Sequence, residues 1–102
     1  MDNLRIGFGF DAHQIKKGSS MVIGGIKIDS DYEIIAHSDG DVLTHAICDA
    51  LLGAAHLGDL GSFVPEDNST KNISSLKILE EVIDKLRSIN MEIINIDSTY
   101  VG

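Results

Sequence analysis

Asp11 and His13 stand two residues apart, directly after the alternating segment Leu4-Arg5-Ile6-Gly7-Phe8-Gly9-Phe10. In extended chain, side chains at i and i+2 project to the same side. A carboxylate and an imidazole therefore leave this segment together, which makes half of a metal site. His45, in a stretch of helical periodicity, is the third candidate ligand. Asp, His and His with an open fourth position is the pattern of a catalytic zinc centre, whereas structural zinc is closed by four protein ligands. Asp41 and Asp49 flank His45 at i−4 and i+4, and either carboxylate is expected to accept the free ring N–H and orient the ring. A plainer reading has Asp11 ending a strand in a turn with both histidines solvated. Spacing alone leaves the two open.

Two further motifs admit two readings each. His37-Ser38-Asp39-Gly40-Asp41 opens a helix, where free N–H groups and the positive end of the dipole suit phosphate. It reads equally as a capping sequence with an incidental histidine. Gly58-Asp59-Leu60-Gly61 is either a helix end followed by a turn or a device that aims Asp59 at substrate hydroxyls. His56 is expected on the surface, and Cys48 is expected to be a packed, inert side chain.

The elements that must position these groups follow from pattern. Period-two alternation predicts a strand over residues 3–10, with Gly7 and Gly9 marking a close approach to the backbone. Residues 14–20 and 29–33 read as polar connections. Met21 to Ile28 reads as a hairpin turning at Gly24-Gly25. A helix follows, capped by Ser38 or Asp39 and ended by Gly58, with Leu43, Ala46, Ile47, Ala50 and Ala54 as its buried side and His45 roughly opposite. Residues 58–74 read as a long loop. A second amphipathic helix is expected from about Ser75 to Ser88, burying Leu79, Val82, Ile83 and Leu86, and a closing strand over 91–101. This order predicts an α+β class, with a mixed β-sheet and helices packed on one face. Residues 1–102 are expected to form a single domain.

The bulk numbers exclude some classes. With 102 residues and a formal net charge of −8, the chain is a poor match for nucleic acid, which is bound by neutralising phosphates. An anionic membrane surface would repel it. A phosphorylated small molecule then needs a metal ion or helix N-termini to be held. One cysteine permits no internal disulfide, which fits a reducing compartment, and the expectation is a cytoplasmic protein without targeting sequence. No apolar run approaches the roughly 20 residues needed to span a bilayer.

Taken together, Gly9-Phe10-Asp11-Ala12-His13, Ile23-Gly24-Gly25-Ile26, the run Ala36-His37-Ser38-Asp39-Gly40-Asp41-Val42 followed by His45-Ala46, and Asp49-Ala50-Leu51-Leu52-Gly53-Ala54-Ala55 resemble the 2-C-methyl-D-erythritol 2,4-cyclodiphosphate synthases in order and spacing. Gly58-Asp59-Leu60-Gly61 continues the resemblance, which extends over essentially the whole chain. It implies a trimer-forming fold with active sites between subunits. It implies a lyase of non-mevalonate isoprenoid biosynthesis that cyclises 4-diphosphocytidyl-2-C-methyl-D-erythritol 2-phosphate and releases CMP. By this resemblance Asp11, His13 and His45 hold zinc, and a second cation, magnesium or manganese, bridges substrate phosphates. His37 and Ser38 contact phosphate, with His37 stabilising the transition state. Asp59, Leu60 and Gly61 take the methylerythritol part, and Val64, Pro65, Glu66, Asp67 and Asn68 border the substrate.

The chain departs from the family's pattern in three ways. Phe8 stands where the family usually has His. Val64-Pro65-Glu66-Asp67-Asn68 replaces the family's F-P-D-T-D, which puts the contacts of that loop in question. Family members also extend further at the C-terminal side, where the cytidine pocket, a phosphate-binding threonine and the glutamate for the second cation normally lie. A competing reading is therefore a catalytically inactive metal-binding fragment or interaction module. A third is a phosphate-binding domain that uses no metal.

Overall fold

Segment 4–13 is laid along a helix, and its glycines explain how. In the computed structural model, which describes residues 4–36, 38–64 and 73–102, a Cβ on Gly7 would sit 1.9 Å from the Ala50 carbonyl oxygen. One on Gly9 would sit 1.9 Å from the Ala46 oxygen. Arg5 continues the series, its Nη1 donating to the Ala54 carbonyl at 3.4 Å. Two residues of segment thus match four of helix. Two extended residues advance about 6.6 Å and four helical ones about 6 Å, so the segment runs antiparallel to the helix axis. Only a backbone without Cβ fits there, and only small residues on the helix admit it. Beyond Phe10 the same path delivers Asp11 and His13 to the helix N-terminal end.

That helix is α1 (Val42–Ala54). Four short strands precede it: β1 (Ile15–Lys17), β2 (Ser20–Ile23), β3 (Ile26–Asp29) and β4 (Tyr32–Ile34). β2 and β3 form an antiparallel hairpin in which Ile23 pairs with Ile26 around Gly24 and Gly25. Both glycines have positive φ, 60° and 81°, as a two-residue hairpin turn requires. β1 and β4 pair antiparallel, with Ile15 opposite Ile34. Pattern reading took both for polar connections. Each is only three residues long, too short for a pattern to stand out; β1 is exposed throughout, and Lys16 and Glu33 form a cross-strand ion pair at 3.1 Å. Two further helices follow, α2 (Leu60–Phe63) and α3 (Ser75–Ser88). The class is α+β, as expected, and the ladders among the described residues are two antiparallel pairs.

The core lies between α1 and α3, where Cys48, Leu52, Ile78 and Val82 are buried together. Fully covering Leu52 and Val82 contributes about 1.5–3 kcal/mol each. Leu57, Leu60, Phe63 and Val64 extend this core over α2. α1 therefore has two working faces. The alanines expected in the core meet the glycine segment instead, while the side bearing Thr44, His45, Cys48 and Leu52 is the buried one. His45, expected on the open side, is among the most covered residues of the helix. On α3 the buried set is Ser75, Ile78, Val82 and Leu86; Val82 and Leu86 are as expected, whereas Leu79 and Ile83 are only half-buried.

Both long helices end alike. His56 N–H donates to the Gly53 carbonyl and Leu57 N–H to the Leu52 carbonyl, with His56 at φ 57°. Asn90 and Met91 repeat the pattern on Arg87 and Leu86, with Asn90 at φ 60°. These are left-handed terminations, usually made by glycine. α1 therefore stops before Gly58, the residue expected to end it.

Residues 4–10 and 91–101, read as strands, form no ladder among the described residues. A strand needs a partner, and neither segment has one there. Their apolar side chains point outward: Phe8 is 85% exposed, Ile6 90% and Ile94 81%.

Candidate metal centre

Three side chains from two segments converge at the N-terminal end of α1. His13 Nε2 lies 2.9 Å from Asp11 Oδ2, and His45 Nδ1 lies 3.3 Å from the same oxygen. The two imidazole rings are 5.6 Å apart at 57°. One ligand atom from each residue falls within 4.8 Å of the others. Metal–donor bonds of about 2.0–2.1 Å in a tetrahedron put neighbouring donors about 3.3 Å apart. The triad fits such an ion with small adjustments, and one oxygen with two imidazoles suits a divalent transition metal. Asp11 and His13 keep about a quarter and a fifth of their side-chain surface open, so the triad is reached from solvent on that side.

The ring of His45 is not oriented by Asp41 or Asp49, contrary to expectation. Asp41 is fully buried and already committed. It caps α1, accepting the Thr44 N–H at 3.1 Å and the Thr44 hydroxyl at 2.8 Å. It also accepts the N–H groups of Gly24 at 2.9 Å and Gly25 at 2.7 Å. This carboxylate, rather than Ser38 or Asp39, is the cap, and it locks the hairpin turn to the helix. Asp49 accepts the Leu60 N–H at 2.7 Å and so holds the start of α2. Short carboxylates at i−4 and i+4 turn to the elements beside them, not along the helix.

His45 Nε2 instead meets Ser75 Oγ at 2.7 Å and Ser38 Oγ at 3.3 Å. Ser75 in turn bonds Asp39, through its hydroxyl to Oδ1 and through its N–H to Oδ2 at 2.8 Å. Ser74, the N-cap of α3, makes no side-chain cap bond, because Asp39 caps that helix from a distant loop. Sequence reasoning missed Ser75 as a site residue. A serine at a helix start looks like an ordinary cap, and only the docking of α3 on α1 brings it to the imidazole.

The remaining expected residues fall in different places. Ser38 is half-buried beside His45. Asp59 is exposed and accepts from Ser62 in a capping box at α2, bonds that hold its carboxyl below the usual range. Leu60 and Gly61 open α2, and Val64 ends it against the core. His37, Pro65, Glu66, Asp67 and Asn68 lie outside the described residues. Burial, with Asp49 and Asp41 nearby, pushes the Cys48 thiol up to about 12, as expected of a packed and unreactive side chain.

One carboxylate and two imidazoles gathered at a helix start in an α+β fold define a candidate mononuclear metal site. The chain belongs to the YgbB family, whose model matches residues 4–102. It is 48% identical over 100 residues to the 2-C-methyl-D-erythritol 2,4-cyclodiphosphate synthase of Syntrophomonas wolfei, covering 97% of this chain and 64% of the relative. To the synthase of Thermotoga maritima it is 44% identical over 101 residues, covering 99% and 61%. The chain thus spans a little under two thirds of the length of these curated relatives. Among solved structures, a 2C-methyl-D-erythritol-2,4-cyclodiphosphate synthase superposes with a TM-score of 0.78 at 37% identity, over 83% of this chain and 57% of that one. The Plasmodium falciparum IspF complex with CDP gives 0.67 at 32% identity, over 84% and 52%.

Proposed function

We propose that the complete protein converts 4-diphosphocytidyl-2-C-methyl-D-erythritol 2-phosphate into 2-C-methyl-D-erythritol 2,4-cyclodiphosphate and CMP, as a lyase of non-mevalonate isoprenoid biosynthesis in the cytoplasm. The observation that carries this reading is the convergence of Asp11, His13 and His45 in a chain whose relatives bear that name. Asp11, His13 and His45 are the residues that would hold a zinc ion. When bound, zinc supplies a Lewis acid and template for the β-phosphate. A second divalent cation, magnesium or manganese, would offset charge on the substrate's phosphates.

No protein nucleophile takes part. An oxygen of the substrate's 2-phosphate forms a bond to the β-phosphorus while the bond to the oxygen bridging toward the α-phosphorus breaks, and CMP leaves with that oxygen. The chain's task is to hold the two phosphates in line and to offset charge on the transferring group. His37 and Ser38 contact phosphate, with His37 stabilising the transition state. Asp59, Leu60 and Gly61 hold the methylerythritol hydroxyls, and Val64, Pro65, Glu66, Asp67 and Asn68 border the substrate. Asp49 supports this arrangement by fixing the Leu60 backbone.

Residues 1–102 make up a single domain, of which the longer relatives carry a further part. The protein works as a homotrimer, supported by the apolar side chains that segments 4–10 and 91–101 turn outward. The test is CMP release by the full-length, metal-loaded protein, followed by chromatography, with phosphorus NMR for the cyclic product. His45→Ala is expected to lower the rate more than a hundredfold, on the order of losing a metal ligand. A fully metallated complete protein that releases no CMP defeats the proposal.

A further inference from the structure

We infer that Asp39 and Ser75 form a positioning relay that fixes which nitrogen of His45 faces the metal, an inference that rests on the reading of Asp11, His13 and His45 as ligands. The hydrogen bonds have only one consistent direction. Asp39 is an acceptor at both oxygens: Oδ2 takes the Ser75 N–H at 2.8 Å, and Oδ1 takes the Asp41 N–H at 3.1 Å. The Ser75 hydroxyl also reaches Oδ1. A hydroxyl has one proton and the carboxylate has none to give, so that proton goes to Asp39. Ser75 Oγ is left with lone pairs toward His45 Nε2, 2.7 Å away. Nε2 must then carry the ring proton.

In a neutral imidazole the other nitrogen is unprotonated. That nitrogen is Nδ1, the one turned toward Asp11 Oδ2 at 3.3 Å. The relay therefore selects the tautomer whose lone pair points into the triad. Metal-bound histidines commonly donate their second N–H directly to a carboxylate. Here the carboxylate acts through an interposed hydroxyl. Ser75 is fully buried, so its oxygen has no ready replacement from solvent. Ser38 Oγ, at 3.3 Å, is the weaker second acceptor. The Asp39 that caps α3 also aligns the ligand, so seating α3 and forming the site are one event.

Ser75→Ala separates the relay from the fold, because it keeps the backbone N–H that Asp39 caps. In the full-length protein it is expected to weaken zinc binding about 10–100-fold by chelator competition. It should also shift the visible absorption of the cobalt(II)-loaded protein, while the thermal unfolding of the metal-free form changes little. Asp39→Asn should weaken zinc binding in the same direction. The zinc-loaded wild type, probed by long-range proton–nitrogen NMR, should show His45 protonated at Nε2 and bound through Nδ1. Zinc on Nε2 overturns the relay, and so do wild-type affinity and an unchanged cobalt spectrum in Ser75→Ala. The NMR assignment needs no substitution and decides the matter even if Ser75→Ala does not fold. His45→Ala is the control. If wild type and His45→Ala bind zinc equally, the ligand reading itself falls; if they differ as expected and Ser75→Ala matches wild type, only the relay does.

Discussion

Around α1 the chain is fastened by carboxylates, whereas segments 4–10 and 91–101 turn large apolar side chains to solvent. Three aspartates do the fastening. Asp41 ties the β2–β3 turn, Asp39 ties α3, and Asp49 ties α2. Each accepts backbone N–H groups that would otherwise go unpaired beneath packed elements. Among the described residues, no buried side-chain nitrogen or oxygen lacks a partner. The positioning set of the metal centre is thus satisfied inside this chain. The outward-facing segments are not: Leu4, Ile6, Phe8, Phe10, Ile94 and Val101 lie largely exposed. The comparison separates two tasks. Polar clamps aim ligands, and apolar surface is what the proposed trimer and the relatives' further length would cover.

The sharpest way to break this contrast is at the clamp. Asp41→Ala leaves the Gly24 and Gly25 N–H groups without their acceptor and removes the cap of α1. It is expected to cost about 4 kcal/mol of stability, read by denaturant unfolding. Gly9→Val acts where the two regions join. Its side chain would collide with the Ala46 carbonyl, lift segment 4–13 from the helix and displace Asp11 and His13. We expect a loss of about 3 kcal/mol and weaker zinc binding, read by unfolding and chelator competition.

Phe8→Ser tests the other region. At 85% exposure it should change the stability of the isolated chain by less than about 0.5 kcal/mol. In the full-length protein it should weaken the proposed trimer, measured by sedimentation. Cys48 gives a pH signature of the core. Its thiol is raised from 9.0 to about 12 in the fold. The unfolded chain therefore releases this proton first, and the contribution, complete below pH 9, declines as pH rises toward 12. Unfolding midpoints across that range, compared with Cys48→Ala, check the sign. The smallest effect is at His56, where glycine relieves a positive φ. His56→Gly should stabilise by about 0.5–1 kcal/mol in thermal unfolding.

Much of this was legible in residue order, and some was not. Asp11, His13 and His45 stood out because few residue types bind transition metals. The Gly24-Gly25 hairpin and the α3 span were readable because turn chemistry and 3.6-residue periodicity are local. The backbone approach at Gly7 and Gly9 was also visible, though not what approached. The β1–β4 ladder was hidden by the three-residue length of its strands, and the two faces of α1 by alanine, which suits a core and a close crossing equally.

By itself, then, the sequence determined ligand types, the span of α3, the hairpin turn and the small residues along α1. Those depend on side-chain chemistry and backbone freedom within a few residues. Tertiary structure alone decided which carboxylate serves which donor, that His45 is buried, and that Ser75 completes its hydrogen bonding. The physical reason is that an aspartate can satisfy many partners at similar energy. Only the packing of α3 and the hairpin on α1 chooses among them.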